Sequence, residues 1–306
     1  MKPCRKAITE TLCDLAKKDP SIYAMASDSR GSVTLDEYAR ELPGQFVECG
    51  IAEQDAVGIA AGLACAGLKP FVCGPACFYS TRAAEQIKVD VAYSHMNVKI
   101  IGVSGGVSYG ALGGTHHAVQ DVALMRAVPN LQVFLPADAN QSAALTRALA
   151  ASPKPAYVRV GRGAVPDVYG PDAPFEIGKA NQLREGKDVA LIACGEMVYH
   201  AVEAAKLLAE GGIKASVYDM ATIKPLDEAA ILEAAKTGAI VTIEEHSVKG
   251  GLGGAVAEVV CQRDPVKMRI LGLPDEPLYN GESRHVFAHY GLNAEGIAKA
   301  AKELVG

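Results

Sequence analysis

Short runs of apolar and β-branched residues alternate with longer alanine- and leucine-rich segments along the first half of the chain. We expect strands at Ile22–Ala26, Pro70–Cys73, Val98–Val103, Val133–Pro136 and Ala156–Val160. The helical segments before and between them are Lys6–Lys18, Gln54–Ala66, Thr81–Ala92, Asp121–Ala127 and Asn140–Ala151. Because parallel strands need a long crossover between them, this alternation predicts βαβ units around a mostly parallel sheet.

The alternation stops at residues 163–174, which are rich in proline and glycine and have no periodicity. It then resumes with strands at Val189–Cys194, Ala215–Asp219 and Ala239–Glu244, and with helices at Val198–Glu210, Asp227–Ala235 and Gly254–Val260. The pattern predicts an α/β protein of two domains, each a mostly parallel sheet flanked by helices. We place the first domain at residues 1–165, a linker at 166–180 and the second domain at 181–306.

The composition argues against several classes of protein. The net charge is −5, and lysine and arginine are scattered, so no basic surface for nucleic acid or membrane is indicated. The first residues lack the apolar core of a signal peptide, and no apolar stretch approaches the roughly 18 residues of a membrane span. The eight cysteines form no CxxC pair, which favours a reducing compartment. We therefore expect a cytoplasmic protein.

Glu53 precedes a helical segment, Ala56–Ala66, in which every residue is apolar or glycine. A helix without a polar face must be covered on all sides, and the small residues Gly58, Gly62 and Ala66 suit close approach of another helix at a subunit interface. A carboxylate at the start of such a helix needs a partner or a proton. It is either an acid favoured by the helix dipole or a functional acid.

Other candidate residues follow the predicted strands. Phe78 and Tyr79 come after the second strand and are either core aromatics or a platform for a flat ring. A glycine-rich stretch after the third strand leads to His116 and His117. They are either part of a site, since an imidazole can exchange protons near neutral pH, or ordinary surface residues. There is no Gly-Lys-[Ser/Thr] that would mark this stretch as a phosphate-binding P-loop.

Three further polar residues lie at predicted strand ends. Asp28 forms either an Asx turn or part of a site. Arg162 and Arg159 compete as the arginine that could grip a terminal anion, because a guanidinium fork suits such a group. Strand alternation places these two arginines on different faces, and either could also be an ordinary surface residue.

The segment Gly50-Ile51-Ala52-Glu53-Gln54, followed by Gly58-Ile59-Ala60-Ala61-Gly62, resembles a signature of thiamine-diphosphate enzymes. Transketolases, deoxyxylulose-phosphate synthases and the β subunits of 2-oxo acid dehydrogenases share it. The resemblance implies a pyrimidine-binding domain followed by a transketolase C-terminal domain. It implies that Glu53 bonds N1′ of the cofactor's aminopyrimidine and so activates thiamine diphosphate.

The stretch that ends in Arg82-Ala83-Ala84-Glu85-Gln86-Ile87 is similar to an aromatic-rich stretch of the same family. This similarity implies that Phe78 or Tyr79 packs against the aminopyrimidine ring. The turn that contains Asp28 resembles the family's Ala-Asp-Leu turn, which implies that Asp28 helps to orient the cofactor site.

Gly113-Gly114-Thr115-His116-His117 resembles the transketolase motif Gly-x-Thr-His-Gln. The resemblance implies that His116 is catalytic and lies near the substrate hydroxyls and carbonyl, with His117 beside it. It implies that Arg162 grips the substrate phosphate or another terminal anion.

Two positions depart from the transketolase pattern. Leu112 stands where these enzymes usually carry an aspartate that contacts a substrate hydroxyl, and Ser104 stands where they carry a further histidine. Both changes make the site more apolar than usual. They point away from the ordinary pentose phosphates and toward an unusual donor, such as a modified or sulfonated ketose.

The family's signature for the diphosphate and its metal, Gly-Asp-Gly, is absent from the chain. The resemblance therefore implies an N-terminal transketolase subunit as partner, holding the diphosphate and Mg²⁺ or Ca²⁺, in an α2β2 heterotetramer. The expected activity is transfer of a two-carbon ketol unit from a ketose to an aldose. The alternatives are a decarboxylating subunit like a deoxyxylulose-phosphate synthase or a 2-oxo acid dehydrogenase β subunit, and a non-catalytic scaffold.

Overall fold

The computed structural model describes residues 1–306 and contains two β-sheets with helices on both faces. The strands are β1 (Ile22–Ala26), β2 (Phe46–Glu48), β3 (Lys69–Pro75), β4 (Lys99–Val103), β5 (Gln132–Phe134), β6 (Ala156–Val160), β7 (Asn181–Arg184), β8 (Val189–Ala193), β9 (Ala215–Asp219), β10 (Thr222–Lys224), β11 (Ala239–Ser247) and β12 (Lys267–Leu273). The α-helices are α1 (Cys4–Ala16), α2 (Asp36–Glu41), α3 (Glu53–Cys65), α4 (Ala76–Arg82), α5 (Ala84–Gln86), α6 (Asp121–Ala127), α7 (Ala139–Ala151), α8 (Met197–Glu210), α9 (Glu228–Ala235), α10 (Leu252–Arg263), α11 (Ser283–His289) and α12 (Ala294–Val305).

Both sheets are mostly parallel, which confirms the expected α/β architecture. The first sheet has the strand order β10-β5-β6-β4-β3-β1-β2, and only its edge pair β10–β5 is antiparallel. The second sheet has the order β12-β11-β8-β9-β7, and only its edge pair β7–β9 is antiparallel. The central strands of both sheets are buried on both faces, as parallel strands between helical layers must be.

The second half of the chain contributes the edge strand β10 to the first sheet. Thr222 pairs with Phe134 of β5, and Lys224 Nζ donates to the carbonyl oxygens of Arg126 and Val128 at 3.0 and 2.6 Å. One apolar core cluster contains residues of both sheets, among them Val72 and Ile192. The two sheets are therefore packed together by a shared core and a shared strand.

The predicted helix at Thr81–Ala92 is wrong in its start and in its type. The helix α4 begins at Ala76, directly after β3, and the residue before it, Pro75, is extended with φ −60° and ψ 127°. At Ala83 the backbone leaves the helical region, with φ −101° and ψ 16°. The chain continues as the short α5 and then as a π-helix over Ile87–Tyr93.

The sequence prediction lacks the short or edge elements β2, β7, β10, β12, α2 and α11, and it also lacks the longer helix α12. Three-residue strands such as β2 and β10 are too short for a two-residue period to be recognised. No helix of the protein is both long enough and apolar enough to cross a membrane.

The helix α3 is covered on one side only within this chain. Its residues Ala56, Val57 and Ala60 are fully buried, whereas Gly58 and Ile59 are exposed. We expected this helix to be covered on all sides, but within the chain only one side is covered and the other is exposed.

Candidate active site

The candidate residues follow five parallel strands of the first sheet, β1, β2, β3, β4 and β6, whose carboxyl ends meet at one edge. Asp28 follows β1, Glu53 follows β2, and α4 follows β3 without a loop. The glycine-rich segment with His116 follows β4, and Arg162 follows β6. In open α/β sheets this edge is where ligands bind, since loops from several strands converge there.

Glu53 is the first residue of α3 and is only 3% exposed. Its Oε2 accepts a hydrogen bond from Arg82 Nη1 at 2.7 Å, although the Arg82 side chain is 46% exposed. The helix N-terminus also favours a negative charge at this position. The buried carboxylate therefore has the partner that its environment demands.

Phe78 and Tyr79 are adjacent in α4 but differ in burial. The Phe78 ring is partly exposed, and the guanidinium carbon of Arg82 lies 4.6 Å from its centroid. Tyr79 is fully buried, and its hydroxyl donates to Ser27 Oγ at 3.0 Å. A Cβ atom at Gly74 would lie 2.0 Å from the Tyr79 ring, so this side chain is packed into the sheet.

His116 connects Phe78 to the segment after β4. Its ring meets Phe78 edge-to-face at 5.4 Å between centroids and meets Tyr109 in the same manner at 5.1 Å. The Thr115 hydroxyl lies 2.9 Å from His116 Nδ1 and orients the ring. The guanidinium carbon of Arg162 lies 5.1 Å from the centroid of Tyr109.

These contacts form one continuous chain of side chains, which we call the edge cluster. Its members are Glu53, Arg82, Phe78, His116, Tyr109 and Arg162. The structure thus brings together four residues that the sequence analysis singled out, and adds Arg82 and Tyr109.

His117, Ser104 and Leu112 lie in the segment after β4 but make none of the contacts that define the edge cluster. His117 is buried, and burial, partly opposed by the backbone of Gly110, lowers the pKa of its imidazole, which is therefore neutral at pH 7. Ser104 is buried with an unpartnered hydroxyl and a left-handed φ of 60°. Leu112 is 54% exposed.

Arg5 lies near enough to Arg162 for the two positive charges to interact. Burial, and secondarily the nearby charge of Arg162, lower the pKa of Arg5. Arg5 Nη1 donates to the carbonyl oxygen of Ser32, while Arg5 Nε and Arg162 Nη1 are buried without partners. Two cations with unused donors suit an anion, because a guanidinium fork matches carboxylate and phosphate oxygens.

Arg162 also lines a cleft of about 560 Å³ between the two halves of the chain. The first half contributes Ser108 and Tyr109 to the wall, and the second half contributes Glu196 and Phe287. An extended polar ligand could therefore reach from the edge cluster toward the second sheet.

Residues 1–167 match the family described as "Transketolase, pyrimidine binding domain", and residues 178–297 match "Transketolase, C-terminal domain". The chain belongs to the transketolase family. An apulose-4-phosphate transketolase subunit of Phocaeicola vulgatus is 57% identical over 307 residues, which cover 100% of this chain and 98% of that one. The 6-deoxy-6-sulfo-D-fructose transketolase subunit SqwH of Clostridium sp. is 38% identical, with 98% and 94% covered.

A solved structure described as "Split gene transketolase, inactive beta4 tetramer" is also similar. It has a TM-score of 0.93 and 39% identity and covers 100% of this chain and 99% of that chain. This transketolase-family chain thus has the length of separate transketolase subunits and shares their fold throughout.

In this transketolase-family chain, the side chain of Arg159 contacts residues of both halves and does not line the cleft. Its Nη2 donates to the carbonyl oxygen and to Oε2 of Glu245, at 2.7 and 3.1 Å, and its Nε lies 3.7 Å from Asp121 Oδ2. Strand alternation placed Arg159 and Arg162 on different faces, and the structure assigns the cleft to Arg162.

Asp28 lies at the same sheet edge but is not joined to the edge cluster by a side-chain hydrogen bond or ion pair. It is exposed and has a left-handed φ of 51°. Its backbone N–H donates to Glu48 Oε1 at 2.7 Å. This geometry is that of a tight turn between β1 and the segment that follows.

The transketolase-family site suits the aminopyrimidine ring of thiamine diphosphate but offers no ligand cluster for the metal that accompanies the diphosphate. A partly exposed aromatic ring beside a buried carboxylate, Phe78 and Glu53, suits a flat heteroaromatic ring with a nitrogen edge. No group of three or more His, Cys, Asp or Glu side chains in the chain could hold a metal ion. The metal that accompanies the diphosphate therefore finds no such ligand cluster in this chain.

The sequence analysis missed three residues of the site. Arg82 was seen only as part of a motif, Tyr109 as part of a glycine-rich stretch, and Arg5 not at all. The signal for Tyr109 was a lone aromatic among glycines. Arg5 gave no signal, because its place beside Arg162 depends on how α1 packs next to the end of β6.

Proposed function

We propose that this chain is the pyrimidine-binding subunit of a two-chain, thiamine-diphosphate-dependent transketolase. The observation that supports this best is the buried carboxylate of Glu53 beside the partly exposed ring of Phe78, with His116 at 5.4 Å from that ring. The reaction would move a two-carbon ketol unit from a ketose to an aldose. The free cysteines of the chain agree with a cytoplasmic location.

In this proposal each residue of the edge cluster has a defined task. When bound, thiamine diphosphate supplies the carbon nucleophile and electron sink that carbon–carbon bond cleavage requires. Glu53 holds a proton at the nitrogen edge of the aminopyrimidine ring, and Phe78 supports the ring face. Tyr79 is packed inside the sheet, so Phe78 is the better candidate for that support. His116 exchanges a proton with a substrate hydroxyl or carbonyl.

The terminal anion of the sugar would lie between Arg162 and Arg5. Their buried, unpartnered N–H groups support this placement. Asp28 would help to form the turn at the cofactor edge, and the neutral, buried His117 would hold the segment beneath His116.

We propose a phosphorylated ketose as the donor, of the kind named for the relative that is 57% identical. The exposed Leu112 and the buried Ser104 offer neither a carboxylate nor an imidazole to the sugar hydroxyls. A donor that differs in its hydroxyl pattern from ordinary pentose phosphates fits such a site. Phosphate and sulfonate both suit the arginine pair, so an assay has to compare a phosphorylated with a sulfonated ketose.

The diphosphate and its Mg²⁺ or Ca²⁺ would be held by an N-terminal transketolase subunit in an α2β2 assembly. Four exposed apolar side chains on or near α3 and the π-helix packed beside it support a protein interface, because exposed apolar surface of this kind marks interaction sites. They are Ile51, Ile59, Val89 and Tyr93. Multi-angle light scattering of the chain with and without its partner tests the stoichiometry, and a monomer in both samples contradicts it.

Replacing Glu53 by Gln in the reconstituted complex tests the function. We expect ketol transfer from apulose 4-phosphate to fall about 100-fold or more, the usual contribution of a positioned acid or base. Glu258→Gln is the matched control, since Glu258 is an exposed carboxylate paired with Arg126.

The same assay separates the alternatives. Release of CO₂ from a 2-oxo acid without ketol transfer would favour a decarboxylating subunit. Ketol transfer that is unchanged by Glu53→Gln would favour a scaffold subunit and contradict the proposal.

A further inference from the structure

Arg82 makes two contacts that together define a flat binding position in the edge cluster. Its Nη1 lies 2.7 Å from Glu53 Oε2, and its guanidinium carbon lies 4.6 Å from the centroid of the Phe78 ring. A guanidinium group is planar, stacks on aromatic faces and donates N–H bonds within its own plane. Arg82 therefore presents a flat cation to Phe78 and an in-plane donor to Glu53.

An aminopyrimidine ring held by Glu53 and Phe78 would need the same pair of contacts, a ring face and a nitrogen edge. On the basis of the proposed function, we infer that Arg82 is an internal surrogate for that ring. It holds Glu53 and Phe78 in the unassembled chain and swings away when the cofactor takes its place.

The surroundings of Arg82 permit this exchange. Its side chain is 46% exposed, and it is the last residue of α4, after which Ala83 leaves the helical conformation. The guanidinium group can therefore turn into solvent without moving the helix or opening the core. Glu53, whose side chain is 4% exposed, then needs a new partner, because a buried carboxylate without one is costly. A ring nitrogen that shares a proton with Glu53 fills this role.

The exchange has a consequence for cofactor affinity. A ligand that must first displace a bound group has an apparent dissociation constant equal to its intrinsic one divided by the fraction of protein in which the position is free. Removing the Arg82 guanidinium should therefore tighten cofactor binding, although it takes away a residue that lies in the site. A residue that merely orients Glu53 for the cofactor would have the opposite effect.

The first measurement concerns the ion pair in the isolated chain and needs neither cofactor nor partner. We expect Arg82→Met to lower the thermal midpoint by about 3–8 °C, because Glu53 is left buried and unpaired. The double variant Arg82→Met with Glu53→Gln should regain most of the lost thermal midpoint. The control is Arg263→Met, which removes an exposed arginine that is ion-paired with Glu228. Equal midpoints for Arg82→Met and Arg263→Met would overturn the inference.

The second measurement is the dissociation constant of thiamine diphosphate at fixed Mg²⁺, determined by calorimetry on the reconstituted two-chain complex. We expect Arg82→Met to bind about tenfold more tightly than the wild type, as loss of one competing ion pair implies, and Arg263→Met to bind equally. Unchanged or weaker binding by Arg82→Met overturns the inference and leaves the proposed function intact. Failure of the wild-type complex to bind thiamine diphosphate overturns both.

Discussion

The guanidinium group of Arg162 lies over the ring of Tyr109, with 5.1 Å between the guanidinium carbon and the ring centroid. Tyr109 lies in the segment after β4 and Arg162 follows β6, so the contact joins two loops at the same sheet edge. Because the ring face attracts a cation, Tyr109 fixes the direction in which Arg162 points. The same tyrosine touches His116, and so it couples the proposed anion site to the proposed proton-transfer site.

Replacing Tyr109 by Leu should raise the KM for a phosphorylated ketose about 2–5-fold, since an exposed cation–π contact contributes roughly 0.5–1 kcal/mol. Tyr109→Phe keeps the ring and should stay near the wild-type KM. Steady-state kinetics of the reconstituted complex provide the measurement. A Tyr109→Phe variant as impaired as Tyr109→Leu would show that the hydroxyl, rather than the ring, is what matters.

Replacing Arg162 or Arg5 by Met should reduce kcat/KM for a phosphorylated or sulfonated donor about 10–100-fold, as expected for the loss of charge-assisted hydrogen bonds. The reduction should be smaller for a donor without a terminal anion. Arg147→Met is the matched control, because Arg147 is an exposed arginine of α7. Equal losses for charged and uncharged donors would argue against an anion site between these two residues.

Removing Arg159 should destabilise the whole chain. The guanidinium group is buried with Glu245 and Asp121, and Arg159→Met would leave these carboxylates without their cation. Breaking a buried pair in this way costs about 3–5 kcal/mol. Urea unfolding followed by circular dichroism measures the loss, with Arg147→Met again as the control. A loss below about 1 kcal/mol, within the range of an exposed ion pair, would mean that the contact between the two halves does not depend on this ion pair.

The contribution of Glu196 to the stability of the chain should fall as the pH rises from about 5 to 8. Burial, with the nearby charge of Glu245 as a second cause, raises the pKa of Glu196 to about 8. Between the ordinary glutamate pKa and this value the folded chain binds more protons than the unfolded chain, so the free energy of unfolding decreases with increasing pH. The contribution of Glu196 is most favourable at low pH and is lost as the carboxyl ionises.

Glu196→Gln removes this titration and should flatten the decrease of the thermal midpoint between pH 5 and pH 8. Scanning calorimetry across this range measures the effect. Glu210→Gln, at an exposed position of α8, is the control and should keep the wild-type slope. An unchanged slope for Glu196→Gln would show that other groups set the pH dependence.

The sequence predicted the two-sheet architecture and the residues that follow its strands, because long buried strands and helices have distinct hydrophobic periods. The position of Glu53 before an all-apolar helix was a local signal of the same kind. The partner of Glu53 was not predictable from the pattern: Arg82 is 29 positions away and meets it only because α3 and α4 pack side by side. The orientations of Phe78 and Tyr79 likewise depended on where α4 begins.

The strand β10 has a consequence for how the chain can be divided. The sequence analysis predicts the join between the two halves at residues 166–180, but the first sheet is complete only when Thr222–Lys224 pair with β5. A shortened chain that stopped at the join would expose the unpaired backbone N–H and C=O groups of β5. Exposed edge strands of this kind tend to aggregate. The second half therefore carries a strand of the first sheet, and the first sheet is whole only in the longer chain.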